Sequence, residues 1–411
     1  MGIFINLNIK SLRQDSYFVN QIYFLISLAV LVYVSQAYRI FLKSSDNLYI
    51  IRTTEDYVLI CVFFLTIFIR GKVFFRNLVP FLILSIYSYV CFMVDFDFSL
   101  IRNGTIQMLW YIIAINAFTT IRPEVLFKII CSVCIFSAIS MIFDTERTLS
   151  SYIIEDRRYH SEGEGGDINI NNICLILVSF AAVASVLKKN IEHMRYSNIL
   201  IVSLYLSVGV VLLIGATRSA LIFFLVLIFY NFFNSYTRVM FKVMFVLILF
   251  LIIFSFGIAQ FGLDFVFLKR FLDYDYLSSQ RTLMSINSLS MFVDHPIFGV
   301  GMKNFTIQQS LQFDSQDHNF YTKLLGSNGI IGFLLVMLFY IGLTKTVAQK
   351  IQGIYILKGL FFYIFIFIPA GPGTLIIAAT IHYLSDLQVK KSLQRSRKIY
   401  EKNLNNYYIY N

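Results

Sequence analysis

Charge is what this chain has least of. Of its 411 residues only 14% are Asp, Glu, Lys or Arg, whereas 58% are hydrophobic. A soluble protein of this length needs far more polar surface, so the water-soluble classes are excluded. Cysteine is scarce as well. The five cysteines (Cys61, Cys91, Cys131, Cys134, Cys174) all fall in apolar runs. Cys131 and Cys134 form a CxxC with no second Cys or His pair close in sequence, which reads as small apolar packing rather than a metal site or disulfide framework. A cleavable signal peptide is not evident, because the first apolar run, from about Phe18, is as long as the later ones and lacks a small-residue cleavage site. No internal repeat is visible, which argues against the inverted repeats of many transporters.

What the chain does have is a succession of apolar runs of about 17–25 residues, each long enough to cross a bilayer as a helix. These predict an all-α, polytopic membrane bundle of about twelve spans, near 18–38, 57–69, 78–94, 106–118, 125–143, 170–187, 198–215, 220–233, 243–263, 319–343, 354–370 and 374–387. Basic residues fix its direction. Lys10 and Arg13 before the first span, Arg70, Lys72 and Arg76 after the second, Arg122 after the fourth, Lys188 and Lys189 after the sixth, and Arg238 and Lys242 after the eighth share one side with the basic tail. Both termini are then expected in the cytoplasm. The net charge of +11 is mostly this bias and does not read as nucleic-acid binding. The expected organisation is a cytoplasmic stretch over 1–17, nine spans over 18–263 with an outward loop near 144–169, a large periplasmic loop with short helices over 264–318, three spans over 319–387, and a basic cytoplasmic tail over 388–411.

Function is expected on the outward face, where the long loops lie. Arg218 sits on the short turn LLIGATRSALIFF, where it either snorkels to lipid phosphates or clamps an anion with its rigid guanidinium fork. In the large loop, Ser278 or Ser279 is expected to cap a helix running to Val293 and stopping before Pro296. That places Arg281 in the first turn, against the helix dipole, with Leu283, Ile286 and Leu289 available for burial. HPIFGVG reads as a turn whose glycines allow close packing. His318 stands at the mouth of the tenth span, capped by Asp317 or Asn319, and Gly326, Gly329 and Gly332 form a small-residue face for neighbouring membrane helices. A histidine there is either a plain interfacial residue or a proton acceptor.

Three pieces in order, ATRSA, GVGMKNF and HNFYTKLLGSNGIIG, resemble motifs of the bacterial O-antigen ligase and O-antigen polymerase superfamily. Here Arg218 precedes its serine, and Thr322 stands where that family has a leucine. The resemblance implies a polyprenyl-diphosphate-linked glycan as donor, with Arg218 and Arg281 engaging the diphosphate and His318 activating the acceptor. It implies a metal-independent, inverting glycosyltransferase without a cofactor, either a polymerase or a ligase that delivers polymer to lipid A-core. A chain-length regulator protein is a further expected partner.

Arg157 and Arg158, with His160, can add to a diphosphate or glycan site, and Asn319 and Tyr321 are expected to contact substrate. Tyr274, Tyr276, Phe298, Phe305 and Phe313 can stack on sugars, although interfacial belts also use Tyr and Phe. Asp95-Phe96-Asp97 and Asp273-Tyr274-Asp275 are read as solvated loop acids, with divalent-metal binding as the competing reading. A lipid-linked oligosaccharide flippase is the reading from another class. It would use ionisable residues in mid-span, for which Lys128 and Lys358 are the conspicuous choices.

Overall fold

The computed structural model describes residues 3–6, 16–35, 61–64, 66, 72–75, 83, 85–87, 89–90, 93, 98–143, 170–191, 196–215, 218–234, 275–313, 319–344, 353–367 and 376–388. These are helical, apart from one antiparallel pair, β1 (Ile3–Asn6) with β2 (Lys72–Phe75), in the register Ile3 to Phe75. The helices are α1 (Ser16–Ser35), α2 (Phe98–Thr120), α3 (Pro123–Phe143), α4 (Ile170–Asn190), α5 (Ser197–Gly215) and α6 (Arg218–Asn234). After them come α7 (Asp275–Asp294), α8 (Met302–Phe313), α9 (Phe320–Thr344), α10 (Ile354–Phe367) and α11 (residues 376–388).

Three of these, over Pro123–Met141, Ile173–Asn190 and Phe320–Phe339, are long and apolar enough to cross a membrane, and α1, α2, α5 and α6 contain shorter apolar stretches. The expected fifth to eighth spans agree with α3 to α6 within a few residues at each end. The count of twelve is not established, since the expected ninth span (243–263) and the outward loop near 144–169 lie outside the described residues, and the second and third are described only in fragments.

The bundle forms around α4. Its side chains from Ile173 to Leu187 are all buried, and it packs against α1, α3, α5, α6 and α10. A helix apolar all round belongs in the middle of a bundle. Ser179, Ala181, Ala182, Ala184 and Ser185 let its neighbours approach closely. Four serines of α3 and α4 satisfy themselves: the hydroxyls of Ser137, Ser140, Ser179 and Ser185 donate to the carbonyl four residues back at 2.7–2.8 Å. Across α4, α5 and α6, Ser185, Tyr205 and Asn231 form a buried polar knot, with the Ser185 and Tyr205 hydroxyls 2.7 Å apart and the Asn231 amide donating to Ser185 Oγ at 3.1 Å. Cys131, Cys134 and Cys174 are thiols buried in this core and outside any disulfide, in keeping with their apolar setting.

The outer helices expose apolar stripes at helical spacing: Leu206 and Val210 on α5, Ile222, Val226 and Phe229 on α6, and Ile330, Leu334, Leu338 and Ile341 on α9. Such stripes are the lipid-facing side of a membrane bundle. At its end, Lys189 lays its ammonium over the Tyr230 ring, 3.5 Å from the centroid, and Lys188 donates to Asn198 Oδ1.

Candidate functional site

The second half of the large loop folds onto α9, and the fit is made by backbone. Within α9, Gly329 leaves helical geometry (φ 61°, ψ −166°). In an unbroken helix the N–H of Ile330 would reach the carbonyl of Gly326, and that of Ile331 the carbonyl of Ser327. Here the 295–301 turn takes all four ends. Val300 N–H donates to Gly326 O at 3.1 Å and Gly301 N–H to Ser327 O at 2.8 Å, while Ile330 N–H donates to Pro296 O at 2.9 Å and Ile331 N–H to Ile297 O at 3.3 Å. Unpaired backbone groups at membrane depth cost several kcal/mol each, so the turn replaces the two lost rungs of the ladder. Tyr321 and Phe333, twelve residues apart, place their rings 6.3 Å centroid to centroid. A straight helix would separate their Cα atoms by about 18 Å, so α9 bends at the break.

Glycine is required at this seam. A Cβ on Gly299 (φ 71°) would lie 2.4 Å from the backbone of Ser327, and one on Gly329 would lie 2.4 Å from Ile297 O. Gly326 faces Ser288 O of α7 and the Phe305 ring of α8, at 2.7 and 2.9 Å from its would-be Cβ. The turn reading of HPIFGVG therefore holds. The face formed by Gly326 and Gly329, expected to receive a neighbouring membrane helix, receives the loop instead. Only Gly332 looks toward the 78–94 segment, where Tyr87 is its neighbour.

Helices α7 and α8 are locked together by Gln309. Its buried side-chain amide donates to Met284 O at 3.3 Å and Ser288 Oγ at 3.2 Å. Beneath the break, Tyr87 O–H (3.3 Å) and Ser327 O–H (2.7 Å) both donate to Asn328 Oδ1. Gln309, Asn328 and Tyr87 were not singled out in the sequence. Asn328 and Tyr87 stand in mostly apolar runs, which was their only signal, and Gln309, in the polar stretch TIQQSLQ, gave none.

Several expected site residues move. Helix α7 starts at Asp275, so Ser278 and Ser279 lie inside it and Arg281 falls in the second turn, beyond the reach of the dipole argument. Leu283, Ile286 and Leu289 are exposed, at 41–56%, and the buried face is Met284, Ser288 and Met291. Phe305 is fully buried against Gly326 and cannot stack on a sugar, whereas Phe298 is exposed. Asn319 is the cap of α9: its Oδ1 accepts from Tyr321 N–H at 3.1 Å and its carbonyl from Lys323 N–H at 3.0 Å. Tyr321 is half-buried against Phe333. Lys128 is exposed on α3 and Lys358 half-buried on α10.

Arg218 is the first residue of α6. The contact of Ser288 with Gly326, and of Pro296 and Ile297 with Ile330 and Ile331, shows α7 and α9 running in the same sense. Arg281, seven residues before Ser288, therefore stands toward the Asn319 end of the pair. His318, Arg157, Arg158, His160, Asp95, Asp97, Asp273 and Tyr274 lie outside the described residues. Among the described residues no group of three His, Cys, Asp or Glu could hold a metal ion.

Apolar helices with outward apolar stripes around a polar-seamed loop define an integral membrane protein. Residues 201–337, from α5 to α9, match the family model described as O-antigen ligase. That match, roughly a third of the chain, supports the O-antigen ligase/polymerase superfamily, a family of enzymes acting on lipid-linked oligosaccharide. It takes in Arg218, Arg281, His318 and the whole glycine seam. A comparison with curated proteins found no match.

Proposed function

We propose that this protein is a surface-polysaccharide polymerase, which moves a growing polyprenyl-diphosphate-linked glycan onto a sugar hydroxyl of the next lipid-linked repeat unit. The carrying observation is the seam itself. It joins GVGMKNF to LLGSNGIIG through backbone bonds, and it packs α7, whose second turn carries Arg281, against α9, which begins two residues after His318 in the sequence. In this reading His318 accepts the proton of the attacking hydroxyl. Arg218 and Arg281 neutralise the diphosphate as it leaves, a task that a metal ion performs in other systems. Asn319 holds the helix start that carries His318, Tyr321 lines the approach, and Arg157 and Arg158 add to the diphosphate site. A single displacement inverts the anomeric carbon. The site opens to the periplasm of an inner membrane with both termini in the cytoplasm, and a chain-length regulator is a natural partner.

The description of the matched family favours a second reading, an O-antigen ligase transferring finished polymer to lipid A-core. Both use the same donor chemistry and differ in the acceptor. The flippase reading has no support from the family match.

The test is envelope polysaccharide on a gel from a strain lacking the gene, complemented with wild type, His318→Ala or Arg218→Ala at equal membrane levels. Core carrying a single repeat unit in the null strain identifies a polymerase. Bare core with accumulated polyprenyl-linked polymer identifies a ligase. Full ladders from both variants would remove His318 and Arg218 from the site.

A further inference from the structure

Helix α7 belongs to the loop between the expected ninth and tenth spans, yet its outer face is not that of a water-exposed helix. Opposite the buried Met284, Ser288 and Met291, it exposes Leu283, Ile286, Leu289 and Val293, the last at 73%. The turn that follows exposes Ile297 and Phe298. Among the described side chains, α7 adds Thr282, Ser290 and Asp294 to its four exposed apolar residues, whereas α8 exposes Lys303, Asn304, Gln308, Ser310 and Gln312 with only Ile307 and Leu311 beside them. The balance thus differs between the two helices of one loop: the outer face of α7 is mainly apolar, that of α8 mainly polar.

The apolar face is continuous with a membrane-facing one. Pro296 and Ile297 are hydrogen-bonded to Ile330 and Ile331, and Ile330 begins the exposed stripe of Leu334, Leu338 and Ile341 on α9. The regular apolar part of α9 beyond its break covers about 15 residues, or roughly 22 Å. The hydrocarbon core is about 30 Å thick. With its far end at Thr344, followed at once by Lys345, this segment cannot reach the opposite boundary alone. The break, and the turn docked on it, therefore lie inside the hydrocarbon margin.

We infer that α7 is a bilayer-embedded interfacial helix. Its Leu283, Ile286, Leu289 and Val293 face rests among the acyl chains of the leaflet on that side, while α8 stands in water. An apolar outer face seats a helix in the interface in this manner, and the opposite side of α7, with Met284, Ser288 and Met291, is packed on protein. The occupant of the face is bulk lipid.

The chain has a single tryptophan, Trp110, which makes a depth measurement direct. In a Trp110→Phe background, Ile286→Trp and Asn304→Trp are each reconstituted as the full chain into phosphatidylcholine–phosphatidylglycerol vesicles. Each is titrated with shallow-brominated phosphatidylcholine and with aqueous acrylamide. The expected result is that Ile286→Trp emits to the blue and loses most of its emission to the brominated lipid, whereas Asn304→Trp is quenched by acrylamide. Should Ile286→Trp fail to reconstitute, Leu289→Trp reads the same face. Quenching of the α7 tryptophan by acrylamide alone overturns the inference, and so does protection from both quenchers, which would mean that protein covers the face.

Discussion

The bundle around α4 and the seam between α7, α8 and α9 are built on different principles. Of the membrane-span window in α4, 83% is buried, against 44% in α9. The bundle is held by side chains: small and branched apolar residues fill it, and serines of α3 and α4 donate to the carbonyl one turn back. The seam is held by main chain, through four backbone bonds across a helix break and glycines whose neighbours are backbone atoms. Side-chain packing tolerates exchange of like for like, since volume-conserving apolar swaps usually cost less than about 1.5 kcal/mol. A seam of backbone contacts tolerates no added carbon. The difference suits a site that needs fixed geometry on a scaffold that needs only to stay in the membrane.

The largest effect should come from the residue proposed to act as base, next in sequence to the seam's helix. His318→Ala should lower glycan transfer by about a hundredfold or more while leaving thermal stability in detergent unchanged. A parallel loss of stability would move His318 from chemistry to structure. Next should come Gly299→Ala, which adds a Cβ 2.4 Å from backbone at positive φ and should cost more than about 2 kcal/mol. The readout is a lowered Tm with new protease cleavage between α7 and α8. A Tm equal to wild type would erase the distinction drawn here.

Smaller effects sharpen the comparison. Asn319→Ala removes the acceptor for Tyr321 N–H and should cost about 1 kcal/mol, concentrated at the seam and visible as faster amide exchange in the first turn of α9. Asn231→Leu, in the bundle, removes one member of the knot with Ser185 and Tyr205 and should cost about 0.6 kcal/mol, the mean for interhelical polar contacts in membranes. Phe136→Leu on the exposed face of α3 should shift Tm by the equivalent of less than about 0.5 kcal/mol.

Much of the bundle was legible in the sequence because an uninterrupted apolar run has one good solution in lipid. The ends of α3 through α6 follow from Pro123, Lys188 and Lys189, and the short ATRSA turn. The seam was half legible. Glycines at three-residue spacing announce a close approach on one helix face, but spacing says nothing about what arrives there, and the arrival proved to be the loop. The face of α7 was misread for a physical reason. Leu283, Ile286 and Leu289 were taken as the buried side because apolar residues seek cover in water. Beside a bilayer that preference no longer identifies the protein interior, and the buried side of α7 holds Ser288, whose hydroxyl oxygen accepts from the Gln309 amide of α8. The cap of α9 was legible as Asp317 or Asn319, and Asn319 fills it.

The broken ladder of α9 also bears on how the protein is made. The turn that supplies the missing hydrogen-bond partners, residues 295–301, precedes α9 in the chain. During synthesis it leaves the ribosome before Gly329 does, so the interrupted helix enters the membrane with its complement already made. Had the order been reversed, four bare backbone groups would have had to linger in lipid. The sequence order of loop and span thus acts as an assembly schedule.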